Sequence, residues 1–228
     1  MKRILIVILI VCSCQPVLLA QTQFSLASDA SILRNLSPHQ KFWSFGQTIQ
    51  GMMHFTPKES GYLWIGYYSP GKFSNGFTAI AKSSSVSPQQ INYVVHGTWR
   101  PRHISIGWRH YYTGGFNNDN GLNIYSIAGF GILVSKVENT FNVQVDTANY
   151  IRPAMPAEGI SSFRRLTFDV GLGAEYAVGF DIYLYSDVRT WISASDAAPS
   201  LYFHDTQKVP MPLIINFGVR LLFGSPID

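Results

Sequence analysis

The sequence predicts an all-β fold: a closed, antiparallel, up-and-down transmembrane β-barrel of about ten strands, with eight strands as the alternative. Three observations predict it. Charged residues make up only 13% of the 228 residues, and aromatic residues reach 14%, whereas soluble domains usually carry about 25% charged residues. Apolar and polar residues alternate with period 2 along most of the chain. After the amino terminus, no apolar run approaches the roughly 18 residues of a membrane-spanning helix.

A basic start and an apolar run open the chain, as in a secretory signal peptide. Lys2 and Arg3 precede the apolar residues 4–11, and the small Ala20 marks the expected cleavage point. The expected domains are a cleaved signal peptide at residues 1–20 and a single outer-membrane β-barrel domain at residues 21–228.

Both cysteines of the chain, Cys12 and Cys14, lie in this leader. Two alternatives to a cleaved signal stay open: an uncleaved anchor, and a lipoprotein signal in which one of these cysteines becomes lipidated. Cleavage after Ala20 would leave a mature chain without disulfides, so the exported domain would need another source of stability.

Six stretches show the alternation clearly, and each has one apolar and one polar face. Segments near Tyr62, Ile91 and Phe141 are predicted as strands with less definition, because both of their faces mix polar and apolar residues. In chain order the six clear stretches begin at Phe24, Trp43, Ile104, Leu122, Leu166 and Met211.

The expected connections alternate between long and short. This rhythm yields ten strands, puts both termini on the short-turn side, and is typical of outer-membrane barrels. The eight-strand alternative applies if the segments near Tyr62 and Phe141 are loops. The expected tight turns are residues 56–60, 100–102, 136–139 and 178–179; the expected long loops are residues 34–41, 69–90, 113–120, 151–161 and 193–208.

Side-chain size predicts which face points outward. A barrel of ten strands cannot enclose rows of rings such as Trp43, Trp108 and Phe130 without overpacking. Turned toward lipid, those rings bury apolar area at roughly 25 cal/mol per Å². The residues predicted to face lipid include Leu166, Phe168, Val170, Leu172, Phe217 and Val219.

The charged residues of the same strands fall on the opposite face. A plug of salt bridges and a polar permeation path are both compatible with that placement, and a lumen narrowed by arginine side chains favours the plug. The residues predicted to face the lumen are Arg109, Arg165, Asp169, Glu175, Asp181, Asp187, Arg189 and Arg220.

Two Gly-containing strands, DVGLGAEY and IAGFGILV, and the final strand LIINFGVRLLF resemble the small outer-membrane barrels of the PorT-like, or outer membrane protein β-barrel, family. The resemblance covers most of residues 23–224. It implies an integral outer-membrane location, with lipid and lipopolysaccharide as surroundings. It also implies recognition of Phe223 by the barrel-assembly machinery, although residues 224–228 follow that ring.

Fold and location leave the role open. The expected function is a non-enzymatic structural component, or an envelope-assembly or secretion-associated component with partners in that complex. The alternatives are a narrow pore or transporter and a lipid-A-modifying enzyme. Lys and Arg are scattered, with no run of the kind that binds nucleic acid, so nucleic acid is not an expected partner.

The segment GWRHYYTGGFNNDNGLNIY is similar in part to barrel deacylases that trim lipid A. His110 matches the base, but Tyr112 holds the nucleophile position and Thr113 lies on the opposite face of the strand. Ile124 occupies the neighbourhood in which an acid would orient the imidazole. We therefore expect no catalytic residues.

Oxygen-bearing side chains at residues 116–121, FNNDNG, could bind Ca²⁺, but the segment lacks the alternate ligand spacing and the distal Glu of a dedicated calcium loop. Asn, Asp and Gly are also what a tight loop needs. The six histidines are dispersed through the sequence without ligand spacing. No metal or cofactor is expected.

Overall fold

Burial alternates along the strands: on the long strands, nearly every second side chain is buried and its neighbours are exposed. A computed structural model describes residues 23–37, 40–153, 156–179, 181–194 and 211–224. The expected signal peptide, residues 1–20, lies outside the described residues. The strands are Gln23–Asn35 (β1), Phe42–Thr56 (β2), Glu59–Tyr68 (β3), Gly71–Ala81 (β4), Gln90–Thr113 (β5), Leu122–Phe141 (β6), Tyr150–Ile151 (β7), Gly159–Gly179 (β8), Ile182–Ser193 (β9) and Pro212–Phe223 (β10).

Eight strands close into a ring in the order β1, β2, β3, β5, β6, β8, β9, β10, each antiparallel to both neighbours. The predicted closed antiparallel barrel is thereby confirmed, in its eight-stranded form. Phe24 pairs with Phe223, so both ends of the described barrel lie together. We call this side the terminal end and the opposite side the loop end. Within the described ranges, no helix has the length and apolar character needed to cross a membrane.

The other two strands, β4 and β7, lie beyond the ring at the loop end. β5 is 24 residues long; its second half pairs with β3, from Arg102 to His110, and its first half pairs with β4, from Gln90 to Trp99. β7 adds to the far edge of β4. We call β4, β7 and the loop-end parts of β5 and β6 the extension. Its small apolar core consists of Ala79, Tyr93, Val95, Val145 and Tyr150.

The connection between β6 and β8 is anchored by one carboxylate. Asp146 accepts hydrogen bonds from the backbone N–H of Ala148 at 2.8 Å and from the side-chain amide of Asn149 at 2.7 Å. These bonds favour the ionised form and lower the pKa of Asp146. They hold the chain where it turns toward β7.

Two of the expected tight turns are wrong. Residues 100–102 lie within β5 and residues 136–139 lie within β6, and Arg100 pairs with Lys136 across the two strands. Pro101 lies where β3 has already ended and β4 has not yet begun, which is a local edge where a missing N–H is tolerated. Two long strands therefore replace four short ones, and the ring has eight strands.

Other expected connections differ as well. The segment near Tyr62 is a ring strand, β3, and the long loop expected at residues 69–90 contains β4. Residues 114–121 connect β5 to β6 at the terminal end and not at the loop end, because the end of β5 at His110 pairs with Glu59, which begins β3 at the terminal end. The β8–β9 hairpin reverses near Asp181, which has a positive φ of 62°.

Inward glycines make room for large side chains that cross the interior. Gly107 of β5 pairs with Gly129 of β6, and the Tyr62 hydroxyl lies against both. A Cβ atom on Gly129 would collide with that hydroxyl and lie 2.5 Å from the backbone oxygen of Ile106. Backbone cannot move aside as a flexible side chain can.

We expect Gly129→Ala to lower the free energy of unfolding by about 1 to 3 kcal/mol, as overpacking does. Gly51→Ala is the matched control, because Gly51 faces outward on β2 and a Cβ there meets nothing within 4 Å. Urea unfolding followed by tryptophan fluorescence compares the two variants. Equal stability of both would contradict a tightly packed interior at Gly129.

Candidate functional site inside the barrel

Charged side chains are buried inside the barrel, because strand parity points them to the inner face. Of the eight residues expected at the lumen, six lie buried on the inner face, and Arg109 is 0% exposed. Arg165 is half-buried on the same face of β8, nearer the loop end. Asp181 lies in the hairpin between β8 and β9 and not on a strand. The six buried residues are Arg109, Asp169, Glu175, Asp187, Arg189 and Arg220.

Glu175 is the centre of a cluster near the terminal end. Arg109 donates from Nη1 to Oε2 of Glu175 at 3.2 Å, and Arg220 donates from Nη2 to Oε1 at 2.6 Å and from Nε to Oε2 at 3.1 Å. The Tyr111 hydroxyl donates to Oε1 at 3.1 Å. We call Arg109, Glu175 and Arg220 the inner charge cluster.

Aromatic faces complete the surroundings of the two guanidinium groups. The Arg109 guanidinium lies 3.9 Å from the Tyr125 ring centroid, and that of Arg220 lies 3.8 Å from the Tyr183 centroid. Such contacts are stronger where water is excluded. They offset part of the cost of burying two cations against one carboxylate.

A second ion pair lies one step toward the loop end. Arg189 makes a two-pronged contact with Asp187, donating from Nε and Nη2 at 2.8 Å each. Asn216 donates to Asp187 at 2.6 Å. The side-chain oxygen of Gln50 accepts from Arg189 at 3.0 Å and from Arg109 at 3.3 Å, which joins this pair to the inner charge cluster.

Asp169 lies apart from the inner charge cluster and from the Arg189–Asp187 pair, and it is close to His103, whose sequence context carries no ligand or catalytic motif. His103 Nε2 is 3.4 Å from Asp169 Oδ1 and hydrogen-bonded to Thr167 at 2.8 Å. The imidazole stacks on Trp191 with ring centroids 4.7 Å apart. His103 and Arg109 are six residues apart on β5, so the alternation of the strand points both side chains inward. That alternation is the feature of the sequence from which the inward position of His103 could have been predicted.

Side chains from opposite sides of the barrel meet in these layers. β5 and β10 are four strands apart around the ring of eight, yet Arg109 and Arg220 reach the same carboxylate. Likewise Arg189 of β9 lies 5.2 Å from the Trp64 ring of β3. The interior is therefore filled across its width at these levels.

Aromatic side chains pack at both ends of the interior. At the terminal end, Phe116 of the β5–β6 connection stacks on His54 with centroids 4.0 Å apart, and its backbone oxygen accepts from Arg220 at 2.7 Å. At the loop end, Phe42 packs between Phe73 and Trp99 at 6.2 and 5.7 Å. The inward turn of Phe116 has no signature in the sequence.

The oxygen-rich connection at residues 114–121 uses its side chains on protein partners. Asp119 accepts from the Tyr183 hydroxyl at 3.0 Å, and the Asn118 amide donates to Asn123 at 2.9 Å. These contacts hold the connection against the barrel end.

An acid does orient His110, contrary to the expectation from the sequence. Glu59 of β3 lies opposite His110, and its Oε1 is 2.6 Å from the imidazole Nδ1. Trp108 donates to the other oxygen of Glu59. Ser126 faces His110 across the next pair of strands, but within the described chain its hydroxyl makes no hydrogen bond to the imidazole.

The outer wall carries exposed large apolar side chains on every ring strand. Leu166 is 65% exposed and Phe217 is 58% exposed. Val170, one step of the outward alternation beyond Phe168 on β8, is half-buried. Phe223 lies at the terminal end of the same wall. A continuous apolar wall of this extent marks a surface that contacts a partner or a membrane. Phe168, Leu172 and Val219 also point outward.

No protein-family model matches the sequence, and no curated protein matches it. Solved structures do match. Neisserial surface protein A is 12% identical with a TM-score of 0.52, covering 87% of this chain and 96% of that chain. A major outer membrane protein from Thermus thermophilus is 9% identical with a TM-score of 0.49, covering 89% and 99%. Ail of Yersinia pestis, in complex with the heparin analogue sucrose octasulfate, is 10% identical with a TM-score of 0.47, covering 89% and 99%. The first match indicates a shared β-barrel fold.

Proposed function

We propose that this chain is an integral outer-membrane β-barrel protein with a sealed interior, which acts as a non-enzymatic structural component of the envelope. The inner charge cluster carries the proposal. Because Arg109 and Arg220 come from opposite strands and meet on Glu175, the barrel axis is blocked by side chains that would be costly to separate.

The outer wall supports a place in a membrane. Rings such as Phe130, 69% exposed, would gain roughly 25 cal/mol per Å² on transfer from water to lipid. A closed ring leaves no free strand edge, which lipid could not satisfy with hydrogen bonds. The outer wall is therefore suited to contact with lipid hydrocarbon. The charges of the interior pair with one another and need no contact with water.

The extension supports a role in assembly. β4 and β7 form a sheet beyond the ring with its own apolar core, and a sheet edge is a surface to which a partner strand can add. A secretion-associated or other envelope complex would supply such a partner. Phe223, outward at the terminal end, is the proposed signal to the barrel-assembly machinery.

Membrane insertion is tested by fractionation and by electrophoresis. We expect the protein in the outer-membrane fraction and, as a folded barrel, migrating differently on detergent gels before and after boiling. Recovery from the soluble periplasm would contradict the proposal.

Purified protein in planar bilayers is expected to produce no steady channels, because the interior is filled at successive levels. A conducting outer-membrane porin under the same conditions is the positive control. Steady single-channel currents would favour the alternative of a narrow pore and would exclude the sealed interior.

A further inference from the structure

Four cations cluster on the outer wall at the loop end, outside the interior described above. Arg100 and Arg102 of β5, Lys136 of β6 and Arg164 of β8 all point outward. With Ser162 they line a groove of about 660 Å³, here called the cationic groove.

Strand register sets the spacing of these cations. Arg100 lies opposite Lys136, while Val134 lies opposite both Arg102 and Arg164. Neighbouring strands are about 4.8 Å apart and same-face residues about 6.6 Å apart along a strand, so the four Cα positions lie within roughly 12 Å of one another. Like charges directly opposite each other destabilise a sheet, and a bound anion would offset that cost.

Most of this charge is not neutralised by the protein. Arg100 pairs with Glu138 at 3.3 Å, and Arg102 stacks on Tyr67 at 5.2 Å. Among the residues that the structure describes, no carboxylate pairs with Arg102, Lys136 or Arg164. Three cations therefore remain available to an anion.

An apolar groove continues directly below the cations, toward the terminal end. The next outward row of the three strands is Ile104, Ile132 and Leu166, and with Phe130 it lines a groove of about 270 Å³. The two grooves together match an amphiphile with an anionic head and a hydrocarbon tail. A soluble anion would use only the upper one.

We propose that the cationic groove binds the headgroup of a phosphorylated membrane lipid, with an acyl chain in the apolar groove below. Guanidinium groups bind phosphate through two parallel hydrogen bonds, and the two rows of cations suit a headgroup with more than one phosphate. The inference rests on the proposed function, because the outer wall must face lipid at this height.

The test uses full-length protein purified from membranes in detergent. Native mass spectrometry measures binding of bisphosphorylated lipid A and of the same lipid with both phosphates removed. Three proteins are compared: wild type, the double variant Arg102→Gln/Arg164→Gln, and Arg34→Gln. Arg34 is the matched control, since it is an outward cation at the loop end of β1 that stacks on Trp43 at 4.7 Å.

We expect wild type and Arg34→Gln to bind the phosphorylated lipid equally, and the double variant to bind it roughly tenfold more weakly. The dephosphorylated lipid should bind wild type with a similar loss. Unchanged binding in the double variant, or equal binding of the two lipids, would overturn the proposal.

Heat-modifiable migration and insertion into phosphatidylcholine vesicles are measured on the same samples. A barrel that inserts normally but does not select the phosphorylated lipid refutes this inference alone. Failure of the wild type to insert refutes the proposed function as well.

Discussion

Glu175→Gln is expected to lower the free energy of unfolding by about 3 to 5 kcal/mol, because it removes one partner of a buried ion pair. The substitution keeps the size of the side chain but leaves the guanidinium groups of Arg109 and Arg220 without their carboxylate. Both arginines are 0% exposed, so water cannot replace the lost charge. Urea unfolding in lipid vesicles, followed by tryptophan fluorescence, measures the loss.

Glu138→Gln is the matched control for this experiment. Glu138 pairs with Arg100 at 3.3 Å, with both side chains partly exposed, and such pairs contribute about 0 to 1 kcal/mol. The double variant Glu175→Gln/Arg220→Met removes one of the two unpaired cations and should recover part of the stability. Equal, small losses at Glu175 and Glu138 would indicate a water-filled interior and would contradict the sealed barrel.

Val170→Arg is expected to lower stability in lipid vesicles by about 2 to 4 kcal/mol, the cost of an arginine on the lipid face near the bilayer midplane. Val170 lies on the outer face of β8, between its cross-strand partners Ala128 and Thr190. Its position halfway along the apolar wall leaves an arginine side chain far from either polar end. Urea unfolding in vesicles measures this variant too.

Ser162→Arg on the same strand is the control, because Ser162 lies outward at the loop end, away from the apolar middle of the wall. It places a cation opposite Lys136 and should cost only about 0.2 to 1 kcal/mol. A second comparison is Gly171→Ala, whose added Cβ would lie 2.8 Å from the backbone oxygen of Val188 and would act through interior crowding. If Val170→Arg costs no more than Ser162→Arg, the outer wall faces water and the membrane proposal fails.

The two walls of the barrel were accessible from the sequence because the direction of a side chain in a strand is a local property. Period 2 is enough to separate Leu166 from Asp169 on β8, and Phe217 from Arg220 on β10. His54 and His103 follow the same parity, although as isolated histidines they gave no sign of a shared interior.

The strand number was not accessible in the same way. Residues 100–102 contain a proline between two arginines and resemble a turn, yet they continue β5 because a gap between β3 and β4 leaves Pro101 at a local edge. Whether that gap exists depends on where other strands end, and no local pattern near Pro101 encodes it. The inward turn of Phe116 against His54 is decided in the same non-local manner.

The sequence by itself determined the class of fold and the alternation of apolar and polar faces. The tertiary structure alone decided that eight strands close the ring, that Arg109 and Arg220 share Glu175, and that four outer cations meet in one groove. The physical reason is that alternation comes from the backbone of one strand, whereas closure and register depend on pairing between residues far apart in the chain.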